Sequence, residues 1–167
     1  NGVIYVENIA AAMAAADAGN ANAYKANAAS YIARLRALHA SAARTFGTLP
    51  EGGRTVVTAH DAFGYLADSY RLNFLAPVGI DTKAEPSASE LAALIAHLKK
   101  TGAGALFVEN ITSPALIEQI SKETGLKIGG RLFSDALSER GGPATSYVAM
   151  FEHNLGAIMT ALQDSNS

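Results

Sequence analysis

Cysteine is absent from the 167 residues, and so is tryptophan. Without cysteine there is no disulfide framework, no thiolate chemistry and no sulfur-based metal site. That absence fits an exported chain as well as a cytosolic one. Charge is sparse and balanced: 13 basic and 15 acidic residues leave a formal net charge of −2. They are scattered, so no basic stripe points to nucleic acid and no acidic tail is present. No apolar run approaches the roughly 20 residues a membrane span needs. The glycine pairs in "GGRTVV" and "KIGGRL" match neither G-x-G-x-x-G nor G-x-x-x-x-G-K-[ST], so the phosphate-loop signals are missing. No G-x-S-x-G elbow precedes a helix, which disfavours a hydrolase of that type. The opening "NGVIYVENIA" has neither Met nor a charged-then-apolar leader, as expected of a mature product or a piece of a longer chain.

What is present is apolar and rhythmic. Hydrophobic residues make up 49% of the chain, enough for one real core. Ile4, Val6, Ile9 and Met13 among alanines predict a short helix ending near Asp17 to Asn20. Tyr24, Ala28, Tyr31, Leu35, Leu38, Ala42 and Phe46 then recur at spacings of three and four. That stripe predicts a helix over about 21–47, roughly 40 Å long, ended by Gly47 and Pro50. Its length suggests a strut between two bodies.

After Pro50 the rhythm becomes strand, helix, strand, helix. Strands are predicted at 55–59, 73–78, 105–109 and 127–133, with helices near 62–71, 88–101, 114–124 and 145–162. Ser87 with Glu90 has capping-box spacing, and Ser113 precedes Pro114 at a predicted first helical position. Gly102 and Gly125 stand where helix C-caps belong. The expected fold class is α/β: a four-stranded parallel sheet, doubly wound, flanked by helices and preceded by the long linker helix.

Ligands of open α/β sheets bind beyond the carboxyl ends of the strands. There the sequence places His60-Asp61, then Asp81 and Glu85 in a long loop, then Glu109-Asn110, then Ser134-Asp135. His60, Glu109 and Asp135 converge if their strands are neighbours. Three readings stay open at this point. Asp61 or Asp135 could cap a following helix; imidazole and carboxylate could bind zinc, iron or manganese; or the set could perform acid–base catalysis. His39, His97 and His153 fall within predicted helices and are expected at the surface.

The segments "VTAHDAFGYLADSY", "FVENITSPALIEQISKETG" and "LFSDALSERGGPATSYVAMFEHNL" resemble the carboxyl-terminal lobe of bacterial zinc/manganese ABC-transporter substrate-binding proteins, the cluster A-I metal receptors of solute-binding family 9. The resemblance implies that 1–19 is the last helix of an amino-terminal lobe, 20–49 the linker helix and 50–167 the carboxyl-terminal lobe. It implies a site between lobes with four protein ligands. Two are histidines of the amino-terminal lobe, absent from this sequence; the third falls on His60 and the fourth on Asp135. Glu109 is expected to play a supporting role rather than to ligate. The implied cargo is Zn2+, with Mn2+ as the alternative, since His at the third position goes with zinc. The implied partners are an ABC permease in the inner membrane, the missing amino-terminal lobe and a periplasmic metallochaperone, with no nucleic acid. The implied location is the periplasm, or the outer face of the membrane through a lipid anchor. The chain is thus expected to be half of a non-enzymatic metal receptor, or of a periplasmic zinc chaperone. A hydrolase using His60, Glu109 and Asp135, or a metal-free adhesion module, are the other classes considered.

Overall fold

Short strands that are apolar on both faces, alternating with helices, decide the architecture. A computed structural model describes residues 1–80, 86–101 and 104–165; Asp81, Glu85 and the predicted Gly102 cap lie outside the described residues. The helices are α1 (Gly2–Ala16), α2 (Ala21–Gly47), α3 (Gly64–Tyr70), α4 (Ala88–Thr101), α5 (Ala115–Thr124) and α6 (Tyr147–Ser165). The strands are β1 (Thr55–Val57), β2 (Asn73–Leu75), β3 (Ala105–Glu109) and β4 (Ile128–Leu132), all parallel, in the order β2-β1-β3-β4. This is the predicted four-stranded α/β fold. The order reverses direction between β1 and β3, which makes their carboxyl ends the topological switch point.

The chain divides into two compact units, Asn1–Ala42 and Ala43–Ser167. In the first, α1 forms as predicted, yet none of its residues is buried, and Ile4, Tyr5, Ile9 and Met13 are all exposed. At the α1–α2 junction the Asp17 carboxylate accepts hydrogen bonds from Asn20 (2.7 Å) and Tyr24 (2.8 Å). Along α2, the predicted stripe positions Tyr24, Ala28, Tyr31, Leu35 and Leu38 are half-buried, as is Ile32, between otherwise exposed residues.

In the second unit, successive residues of β3 serve opposite faces of the sheet. Leu106 joins Val57, Ala59, Ile95, Leu98, Ile117 and Ile120 in a buried cluster under α4 and α5. Phe107 turns to the α6 side, where its ring and Ala161 crowd Gly129. The β3–β4 register slips between Leu106↔Ile128 and Val108↔Arg131, so β4 carries one extra residue. Gly130, at φ 139°, supplies backbone that other residues rarely adopt. The "GG" of "KIGGRL" is therefore a bulge.

Local signals behave as their chemistry requires. Ser87 and Glu90 form the full capping box: Glu90 N–H donates to Ser87 Oγ (3.2 Å), and Ser87 N–H donates to Glu90 Oε2 (2.9 Å). Gly125 ends α5 in the left-handed conformation, φ 77°. Pro114 takes the N-cap position of α5 rather than its first helical position, so that helix starts one residue late. β1 and β2 are shorter than predicted because, past Thr58, the backbone of the β1 end turns to a side chain instead of a neighbouring strand.

Candidate functional site

That side chain is Glu109, at the end of the neighbouring strand β3. Thr58 N–H still pairs with Leu75 O (3.1 Å), but Ala59 and His60 N–H both donate to Glu109 Oε1, at 3.1 and 3.2 Å. The His60 ring nitrogen Nδ1 lies 2.9 Å from the same oxygen and 2.8 Å from Oε2. We assign the Nδ1–H bond to Oε1, because Oε2, although as close, completes no hydrogen bond. One carboxylate thus gathers three N–H groups in a site where the His60 and Glu109 side chains are 3% and 0% exposed. A bridge between His60 and Val78 resumes the β1–β2 pairing just beyond.

This arrangement determines what the other ring nitrogen can do. With its proton on Nδ1, assigned from the network, the imidazole presents a lone pair at Nε2. Nε2 faces Asp135 Oδ2 at 3.3 Å. A lone pair and a carboxylate oxygen at that distance repel unless positive charge, a proton or a cation, lies between them. Ligand bonds of about 2.1 Å at the tetrahedral angle place two donor atoms roughly 3.4 Å apart, so Nε2 and Oδ2 stand at the edge length of a zinc tetrahedron. Asp135 is 64% exposed, so its carboxylate is open to solvent beside the buried imidazole.

The three residues predicted at the carboxyl edge therefore converge, in line: Glu109, His60, Asp135. Among the described residues, no group of three or more His, Cys, Asp or Glu side chains is placed to hold a metal ion. Glu109 sits behind the imidazole, on Nδ1, and leaves His60 and Asp135 as the forward-facing donors. Helix capping is set aside. Residues 133–146 after β4 form no helix, and α3 is capped at Phe63 rather than Asp61. His39 and His97 are exposed, as expected; His153 is half-buried, donating from Nε2 to Arg131 O (2.9 Å) with its ring edge-on to Phe133.

Near Asp135, the reading of the sequence missed Asn154 altogether and placed Asn110 at the strand end without giving it a role. Asn154 of α6, 2% exposed, accepts from Phe133 N–H (3.0 Å) and donates to Phe133 O (2.7 Å). Asn110 accepts from Ser134 N–H (3.3 Å) and donates to Ala136 O (3.1 Å). A signal for Asn154 was there: a primary amide beside Leu155, Ile158 and Leu162 in a buried stripe needs partners.

Comparison with known proteins gives a consistent result. A family model described as zinc-uptake complex component A, periplasmic, matches residues 1–161. The iron ABC transporter substrate-binding lipoprotein MtsA of Streptococcus pyogenes serotype M1 is 33% identical over 162 residues, 97% of this chain and 52% of that protein. The metal ABC transporter substrate-binding lipoprotein ScbA of Streptococcus cristatus is 30% identical over the same shares. The periplasmic zinc binding protein TroA of Treponema pallidum superposes with a TM-score of 0.87 at 29% identity, over 93% of this chain and 58% of that one. An Mn-bound periplasmic metal binding protein of Candidatus Liberibacter asiaticus reaches 0.87 at 28% identity, over 97% and 60%. The chain spans about half the length of the curated relatives it matches.

Proposed function

The chain belongs to the zinc-uptake complex component A family of metal ABC transporter substrate-binding proteins, and from that premise we propose that it is the carboxyl-terminal half of a zinc receptor with His60 and Asp135 as two of the metal's ligands. Residues 1–19 complete an amino-terminal lobe, 20–49 form the linker helix and 50–167 the carboxyl-terminal lobe. The receptor works in the periplasm, or lipid-anchored on the extracellular face of the membrane, and delivers its cargo to an ABC permease. Two histidines of the amino-terminal lobe complete the coordination.

The observation that carries this reading is the 3.3 Å approach of Nε2 to Asp135 Oδ2, with Nδ1 committed to Glu109. Carboxylate–imidazole–metal is the arrangement that fixes the tautomer and strengthens the ligand. Zinc is favoured over manganese because an imidazole nitrogen suits zinc better than the oxygen-rich set manganese prefers. Capture needs no turnover, and the relatives are transport proteins by name. A hydrolase would need Nε2 free to serve a nucleophile, and Asp135 stands there instead. Binding weakens on acidification, because a proton competes for the Nε2 lone pair.

The test is a titration of the full-length protein with zinc, manganese and ferrous ions, repeated for His60→Ala. Zinc is expected to bind most tightly and to lose at least tenfold in affinity in the variant. Equal affinities for the two proteins would remove His60 from the ligand set.

A further inference from the structure

Both proposed ligands are aimed from one place, the last residue of β3 and the one after it. Glu109 holds His60, which lies beyond β1 on one side. Asn110, the next residue, holds the segment beyond β4 on the other, and its grip is specific: Ser134 N–H donates to its Oδ1 (3.3 Å) and its Nδ2 donates to Ala136 O (3.1 Å). Those are the residues immediately before and after Asp135, so a single amide bridges the backbone across the ligand. The Asn110 backbone N–H also donates to Leu132 O (3.1 Å), which locks the two strand ends in register. Residues 133–146, directly after β4, form no helix to stiffen the segment, and the Asp135 side chain is largely exposed.

Resting on the metal-receptor reading above, we infer that Asn110 is a positioning residue for the cargo site. It holds Asp135 at the Nε2-to-oxygen spacing a bound cation requires. The dipeptide Glu109-Asn110 thereby sets both forward-facing donors at once, because β3 lies between the strands that carry them. Asn154 is the contrasting case. It satisfies both backbone groups of Phe133 from within the core and serves the fold, one step further from the ligand.

The experiment is a double-mutant cycle on the full-length protein: wild type, Asn110→Ala, Asp135→Ala and the double variant, each titrated with free zinc buffered by a competing chelator. Asn110→Ala is expected to weaken zinc about tenfold to 100-fold and to add little once Asp135 is gone. In the metal-free protein the Ser134 amide hydrogen is expected to exchange faster in Asn110→Ala, while the amides of β1 are unchanged. Wild-type affinity in Asn110→Ala, or an equal loss in both backgrounds, would overturn the inference and leave the receptor reading standing. Wild-type affinity in Asp135→Ala would remove Asp135 from the ligand set, and the role of Asn110 with it. Should Asn110→Ala not fold, Asn110→Ser, whose hydroxyl is too short to span both partners, runs the same cycle with the same outcomes.

Discussion

Glu109 is a buried acid whose position explains the behaviour of its neighbours. It accepts from two backbone N–H groups and from an imidazole, at 2.9–3.2 Å. Replacing it with alanine leaves three buried donors without partners, at about 1–3 kcal/mol each before relaxation. Glu109→Ala is therefore expected to destabilise the protein by at least about 3 kcal/mol, read as a lower urea midpoint. Glu109→Gln keeps an oxygen for the donors but removes the charge that, in the proposed receptor, would strengthen His60 as a ligand. It is expected to stay folded and to lose about tenfold in zinc affinity, measured by chelator competition. The residue type at 109 was legible as a strand-end acid. Its partners were not, because hydrogen bonds spanning 49 and 50 residues leave no local pattern.

Among the elements, α4 offers a test of acid sensitivity. The Ser87 hydroxyl, and then the Ser87 backbone N–H, hold the Glu90 carboxyl below its usual range. A carboxylate whose folded value is depressed adds stability above its unfolded value and loses it as pH falls through the folded one. The α4 start should thus loosen only in acid. In Ser87→Ala the Glu90 titration is expected to move up towards the ordinary carboxylate range, followed by NMR of the Glu90 side chain. This device was readable from four residues, since both bonds of a capping box lie within one turn. So were α2 and its stripe, because the period of 3.6 is written in consecutive residues. The β4 bulge was less so: two glycines in a strand say that backbone will be unusual, while the crowding of Gly129 by Phe107 and Ala161 is set by distant parts of the chain.

At the scale of the molecule, the sheet order decides where chemistry can occur. β1 and β3 are adjacent at the reversal of winding, so the residues ending them share one edge. Zinc that binds the folded protein and not the unfolded chain stabilises it by about 2.7 kcal/mol at a free concentration 100 times its dissociation constant. The full-length protein is expected to unfold at a higher temperature with zinc than with chelator, and His60→Ala to lose most of that difference, measured by calorimetry. By itself the sequence determined the alternation of strands and helices, the long α2 and the three polar residues at strand ends, because hydrophobic periodicity and caps are local properties of the chain. Only the tertiary structure decided that Glu109 stands behind the imidazole and Asp135 in front of it, and that Asn110 grips both sides of Asp135. Those relations depend on which strands become neighbours and on bonds between groups up to 75 residues apart, and no nearby residue encodes them.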